Sequence, residues 1–166
     1  MLTELKKYKA KATFFCIGNN VQNNPELFKT LLVSEHAIGN HTQHHVNGWH
    51  TKNKIYFEDV NRASTTFAEA NFTNNMLFRP PYGKIKPSQS YFLRKQGYKI
   101  IMWDVISYDF DLNTSPEKCL QNVLKNAKAG SIIVFHDSQK AFKNLEYALP
   151  KALEFFKNKG YQFEKL

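Results

Sequence analysis

Three histidines follow a short apolar run in the stretch Ala37-Ile38-Gly39-Asn40-His41-Thr42-Gln43-His44-His45. His41 and His45 are four residues apart, so one helical turn or a tight bend after a strand would direct both imidazoles at one point. Imidazole is a preferred ligand of zinc and its neighbours among the transition metals. The pattern predicts a divalent-metal site at the end of a strand, although paired surface or core histidines would have the same spacing.

The rest of the chain alternates short apolar runs with segments of helical periodicity. The predicted strands are 12–17, 37–38, 76–78, 99–105, 131–135 and 161–163. The predicted helices are 2–8, a helix that begins at 25, then 54–70, 87–96, 116–128 and 144–159. In helix 54–70 the predicted apolar face comprises Ile55, Val60, Ala63 and Phe67. Short, wholly apolar strands between helices indicate a parallel sheet covered by helices, and we predict an α/β architecture in one domain, residues 1–166.

Polar side chains follow four of the predicted strands, where each strand ends. They are His41 and His45, Arg79 and Tyr82, Asp104 and Asp109, and His136 and Asp137. In parallel α/β folds these carboxyl ends are where active sites collect. The distribution therefore predicts chemistry at the carboxyl edge of the sheet.

Composition narrows the classes of protein. The chain has 166 residues, 42% of them apolar, with 14 Phe, 8 Tyr and 2 Trp to fill a core. Its net charge of +9 favours acidic partners, but no arginine-rich run or aromatic RNA-binding block is present, and we expect no nucleic-acid partner. No run approaches the roughly 20 apolar residues of a membrane span. Cys16, expected to be buried, and Cys119 form no disulfide framework.

Several blocks resemble, in order and spacing, the polysaccharide deacetylases that share the chitooligosaccharide deacetylase (NodB-like) domain, carbohydrate esterase family 4. The blocks are the strand at 11–18, His-Thr-x-x-His at 41–45, Arg-Pro-Pro-Tyr-Gly at 79–83, 103–110 and Phe-His-Asp at 135–137. The resemblance implies a distorted (β/α) barrel with fewer than eight strands. It also implies hydrolysis of N-acetyl, sometimes O-acetyl, groups on an acetylated glycan, with a divalent metal, most simply zinc.

The resemblance also implies roles for individual residues. His41 and His45, rather than His44, would be the metal ligands. The backbone N–H of Tyr82 would stabilise the oxyanion, and Arg79 would hold the catalytic-base carboxylate.

The remaining matched positions would serve proton transfer and the substrate. His136 would be the general acid, with Asp109 orienting it. Phe110 and Val134 stand where the family usually has Trp and Leu, and would line an apolar slot for the acetyl methyl group. Trp103, counted with that pocket, and Trp49 suit either a core or a sugar-stacking position.

The family's first block, Thr-Phe-Asp-Asp-Gly-Pro, has no counterpart in this sequence. In the family it supplies the catalytic base and the third metal ligand, both Asp, on the first strand. We therefore expect an N-terminally incomplete deacetylase whose first strand lies upstream, because the other site residues are present. The alternatives are a remnant that binds glycan or metal without turnover, and a basic glycan- or nucleic-acid-binding module.

Overall fold

Helices and short strands alternate along the chain in the computed structural model, which describes residues 1–73 and 76–166. The helices are α1 (Leu2–Lys7), α2 (Gly18–Asn23), α3 (Pro25–Val33), α4 (Asn53–Glu69), α5 (Pro87–Lys95), α6 (Pro116–Asn126) and α7 (Phe142–Asn158). The strands are β1 (Thr13–Cys16), β2 (Ala37–Asn40), β3 (Leu77–Phe78), β4 (Lys99–Ile100), β5 (Val105–Ile106) and β6 (Ile133–Val134). The strand pairs are parallel, as predicted for an α/β protein.

Two compact units make up the described chain. The larger unit comprises Thr13–Met102 with Lys165–Leu166, and the smaller unit comprises Met1–Ala12 with Trp103–Glu164. The histidine stretch belongs to the larger unit. Asp109 and His136 belong to the smaller unit.

The larger unit contains a four-stranded sheet in the order β1-β2-β3-β4. Its buried cluster combines Tyr56 and Val60 of α4 with Phe78 of β3 and Leu93 of α5. Burying Val60, Phe78 and Leu93 contributes about 1.5–3 kcal/mol each. The predicted apolar face of α4 was wrong at one position: Ile55 is 53% exposed and Tyr56 is fully buried. Tyr56, unlike Ile55, lies four residues before Val60 and therefore on the same face.

The smaller unit contains the pair β5-β6, with Val105 opposite Ile133 and Ile106 opposite Val134. Helix α6 packs against α7. Val105, Val123, Ala152 and Phe156 form the buried cluster between these helices and the strand pair. The carboxyl end of β6 leads directly to His136.

Two predicted strands differ from the structure. Residues 99–105 are two strands, because the hydrogen-bond partner changes: Ile101 N–H donates to the Phe78 carbonyl, whereas Asp104 N–H donates to Ile132. Residues 161–163 are irregular rather than extended into a ladder. Lys11 N–H donates to the Phe163 carbonyl at 3.0 Å, and Tyr161 N–H donates to the Phe156 carbonyl at 3.0 Å.

Both cysteines are thiols, and they differ in environment. Cys119 of α6 is fully buried, and burial is the main cause that raises its pKa to about 11. Cys16 is only half-buried, contrary to expectation. Among the described residues, no helix has both the length and the apolar character required to cross a bilayer.

Candidate functional site

The bend after β2 carries the histidines and is tied to α4 through Asn40. Asn40 is fully buried, and its amide nitrogen donates to the Val60 carbonyl at 2.9 Å and the Ser64 hydroxyl at 3.0 Å. Its amide oxygen accepts from the Thr42 N–H at 2.8 Å. A buried polar group left unpaired costs about 1–3 kcal/mol, so these bonds define the direction in which the chain leaves the strand.

The bend holds two residues in the left-handed backbone region, Thr42 with φ 64° and His45 with φ 57°. For residues other than glycine this conformation costs about 1–3 kcal/mol each. The Thr42 hydroxyl accepts from the Val46 N–H at 3.2 Å and closes the turn. Of the two geometries that the spacing allowed, the structure has the tight bend and not the helical turn.

This bend brings the rings of His41 and His45 together. Their centroids are 4.9 Å apart and their planes differ by 58°. His41 Nδ1 lies 2.6 Å from the backbone carbonyl oxygen of Arg79. A carbonyl only accepts, so Nδ1 carries the hydrogen and Nε2 the lone pair. Metal-binding histidines are commonly oriented by such a second hydrogen bond.

His44 has a different partner. Its Nδ1 lies 2.6 Å from one carboxylate oxygen of Asp59, and its backbone N–H donates to the other at 3.0 Å. Asp59 is on α4 and is 9% exposed. Asp59 therefore ties the middle of the bend to the helix and holds the His44 ring.

Tyr82 lies beside the histidine pair. It occupies the 3-10 turn Pro81–Gly83 with φ 59°, and its ring centroid is 4.6 Å from that of His45. The side chain is 60% exposed. The ring thus forms an open wall next to His45, while the oxyanion role of its backbone N–H stays a prediction.

Arg79 follows β3 and is buried. Its Nε donates to the Ile101 carbonyl at 3.2 Å and a terminal nitrogen donates to Met102 at 3.1 Å. The guanidinium lies over the Phe15 ring, 4.2 Å from the centroid. Burial lowers the pKa of Arg79 to about 10, so the side chain stays charged at neutral pH.

We expect Arg79→Lys to lower the free energy of unfolding by about 1.5–3 kcal/mol, because an ammonium cannot keep both carbonyl bonds and the planar stack on Phe15. Urea denaturation would measure the change. Arg94→Lys, on an exposed position of α5, is the matched control and should stay within about 0.5 kcal/mol. Equal effects of the two substitutions would contradict the structural role of Arg79.

The donor set of the bend suits a divalent metal only in part. Two imidazoles, with Nδ1 of His41 held by the Arg79 carbonyl, are appropriate zinc ligands. Over residues 1–73 and 76–166, no group of three or more His, Cys, Asp or Glu side chains is arranged to hold an ion. His41 and His45 thus fit as two ligands of such a centre.

The smaller unit holds a histidine–carboxylate pair. Asp109 is fully buried, and its two oxygens accept from the backbone N–H and the Nδ1 of His136, each at 2.7 Å. The His136 side chain is 39% exposed. Asn144 of α7 donates to the Asp109 carbonyl at 3.1 Å. Since Nδ1 faces the carboxylate, Nε2 is the ring nitrogen available to a substrate.

The predicted slot residues also lie in the smaller unit. The Phe110 ring stands 4.7 Å from that of His136 in an edge-to-face arrangement. Val134 is buried on β6, two residues before His136, and Trp103 is half-buried. The Phe110 ring thus contacts His136, and the lining of an acetyl slot by these three residues stays a prediction.

Sequence reasoning did not identify Asp59 and Asn144 as supporting residues. Asp59 stands beside Val60 on the buried stripe of α4, and a charged residue on an apolar stripe was a usable signal. Asn144 is a buried polar residue near the start of α7. Its three acceptors are the carbonyls of Asp109, Asp111 and Thr114, and no local pattern indicates them.

Comparisons with known proteins find relatives over nearly the whole chain. A family model described as polysaccharide deacetylase matches residues 1–101. A peptidoglycan-N-acetylglucosamine deacetylase of Bacillus cereus is 35% identical over 164 residues, which cover 98% of this chain and 76% of that protein. A peptidoglycan-N-acetylmuramic acid deacetylase of Bacillus subtilis is 28% identical, and the match covers all of this chain and 63% of that protein.

Solved structures match over nearly the whole chain. A peptidoglycan N-acetylglucosamine deacetylase in complex with an N-hydroxybenzamide compound superposes with a TM-score of 0.94 at 30% identity, covering 99% of this chain and 77% of that one. A protein of Bacillus anthracis described as a CE4 family pseudoenzyme gives 0.89 at 25% identity, covering 99% and 57%. These matches confirm the predicted fold class.

Proposed function

Since this chain belongs to the polysaccharide deacetylase family, we propose that it catalyses metal-dependent hydrolysis of acetyl groups, mainly N-acetyl groups, on a carbohydrate polymer or oligosaccharide. The observation that carries the proposal is the His41–His45 pair, with ring centroids 4.9 Å apart and His41 Nδ1 held by a backbone carbonyl. The names of the relatives favour a peptidoglycan amino sugar as the substrate.

A divalent ion, zinc by ligand type, would be held by His41 and His45, and when bound it supplies a Lewis acid for the acetyl carbonyl and for water activation. The backbone N–H of Tyr82 donates to the oxyanion that develops on the acetyl oxygen. Arg79 orients the carboxylate that takes the proton of the attacking water. That carboxylate belongs to the family's first block and not to the blocks matched here.

His136 delivers the proton that the leaving group needs. Water oxygen bonds to the acetyl carbon, the carbon–nitrogen bond breaks, and the nitrogen takes its proton from Nε2 of His136. Asp109 accepts from Nδ1 at 2.7 Å, which sets the orientation of the ring. Phe110, Val134 and Trp103 provide an apolar lining for the acetyl methyl group.

A second candidate function is binding of glycan or metal without turnover. It is favoured by the two-histidine donor set, since the described residues offer no cluster of three ligand side chains. A solved neighbour at 25% identity is itself described as a pseudoenzyme. Both candidate functions use the same histidine bend. They differ only in whether the bound glycan is hydrolysed.

The test is release of acetate from an N-acetylglucosamine hexamer by the 166-residue chain supplied with zinc. Because the first-block carboxylate that takes the water's proton is not among the matched blocks, we expect acetate release about 10²–10⁴-fold slower than from a relative that carries that block. EDTA should abolish this release and added zinc should restore it, because the proposed chemistry depends on the ion. Binding of the hexamer, measured in parallel by calorimetry, separates the candidates. Binding without any acetate release would refute the hydrolase and support the binding function.

A further inference from the structure

Trp49 is a large aromatic side chain that remains 53% exposed in the loop after the histidine bend. Its position is nevertheless defined. The indole N–H donates to the Ile85 carbonyl at 3.2 Å, and the Lys84 ammonium lies over the ring, 3.8 Å from its centroid. The edge and one face are therefore held, while the remaining exposure leaves the opposite face to solvent.

The backbone under this ring is rigidly built. Gly48 N–H donates to the Lys84 carbonyl at 3.1 Å, and the fully buried Gln89 amide donates to the Gly48 carbonyl at 3.0 Å. A Cβ at Gly48 would meet the Lys84 carbonyl oxygen at 2.4 Å, so the two loops approach as closely as glycine permits. An aromatic ring fixed in this way loses little conformational entropy when a ligand covers it.

Only a few residues separate the ring from the proposed reaction centre along both loops. Trp49 is four residues after His45, and Lys84 is two residues after Tyr82, whose ring is 4.6 Å from His45. Two residues separate Cα atoms by at most about 7.6 Å. The Trp49 ring is therefore within reach of a short oligosaccharide whose acetylated sugar lies at His45 and Tyr82.

Lysine side chains lie beside the Trp49 ring. The Lys84 ammonium stands over the ring, 3.8 Å from its centroid, and the Lys86 ammonium donates to the Thr51 carbonyl at 2.8 Å. Ammonium groups beside the ring favour an anionic ligand. A glycan that carries carboxylates should therefore bind beside Trp49 more tightly than a neutral glycan.

We infer that Trp49 and Lys84 form a second sugar-binding subsite, in which a pyranose of an acidic acetylated glycan stacks on the open indole face. Sugars present apolar C–H faces, and a fixed aromatic ring offers them both buried area and favourable geometry. The inference rests on the proposed function for its ligand class, and it extends that function by placing a neighbouring sugar of the chain at Trp49.

Calorimetric titration of the full chain with the N-acetylglucosamine hexamer tests the stacking. We expect Trp49→Ala to weaken binding about tenfold, which corresponds to the worth of one stacked aromatic contact. Trp49→Phe should restore most of the affinity. Tyr91→Ala is the matched control, because Tyr91 is also an exposed ring, 66% accessible, with a lysine nearby.

A second binding experiment tests the contribution of charge. Soluble peptidoglycan fragments that contain muramic acid should bind more tightly than the neutral hexamer, and Lys84→Gln should reduce that preference. If Trp49→Ala binds both ligands as tightly as the unmodified chain, or no differently from Tyr91→Ala, the subsite is overturned. Because binding needs no turnover, a chain that releases no acetate yet loses affinity through Trp49→Ala refutes the hydrolase and supports the subsite.

Discussion

Replacing His41 by glutamine is expected to weaken zinc binding by about 100-fold or more. Losing a hydrogen-bond partner of a metal ligand alone typically costs about 10–100-fold in affinity, so removal of an imidazole that itself ligates should cost at least the upper figure. In this chain the loss is severe because the histidine bend offers two imidazoles, His41 and His45, to the ion. Competition with a chromophoric zinc chelator measures the affinity without reference to catalysis.

His44→Gln is the matched control for this experiment. It removes one imidazole from the same bend, and a glutamine amide can still donate to Asp59, which the His44 ring contacts at 2.6 Å. We expect its zinc affinity to fall much less than that of His41→Gln. If the two substitutions weaken zinc binding equally, the assignment of the pair to His41 and His45 is wrong.

Asp109→Asn is expected to lower kcat for acetate release by about 10²–10⁴-fold. The carboxylate now accepts two hydrogen bonds from His136, at its backbone N–H and at Nδ1. An asparagine must turn its NH₂ group toward one of these donors. The His136 ring then loses its carboxylate partner and its defined orientation, so proton delivery to the leaving nitrogen becomes less efficient.

Asp104→Asn provides the comparison for Asp109. Asp104 also accepts a backbone N–H, that of Ile132 at 2.8 Å, but it is exposed. This substitution should leave kcat nearly unchanged. Urea denaturation of both variants separates a loss of folding from a loss of chemistry. A folded Asp109→Asn variant with full activity would show that His136 does not act as the proposed acid.

Local patterns predicted most of the element order. The apolar runs at 12–17 and 37–38, and the helix that begins at Pro25, were visible because strand and helix signals are carried by neighbouring residues. Helix α2 was missed, since Gly18-Asn19-Asn20 reads as a turn. Residues 99–105 were read as one strand because the change of partner from Phe78 to Ile132 depends on residues distant in sequence.

In the candidate site, too, the sequence predicted the local features and not those that depend on distant residues. The spacing of His41 and His45 suggested the pair, and the bend indeed brings their rings together. The groups that orient the bend could not be read from spacing: the Arg79 carbonyl is 38 residues from His41, and Asp59 is 15 residues from His44. Hydrogen bonds between residues so far apart in sequence depend on the tertiary fold, and sequence periodicity does not predict them.

Helix α4 has two structural roles. One stripe of the helix fills the hydrophobic interior with Tyr56 and Val60, and its Asp59 carboxylate and Val60 carbonyl hold the bend that carries the histidines. Two strained backbone positions in that bend persist because the helix constrains it. A packing change within α4 should therefore alter the orientation of the His41 and His45 rings. Residues that contact neither glycan nor ion can in this way affect the reaction.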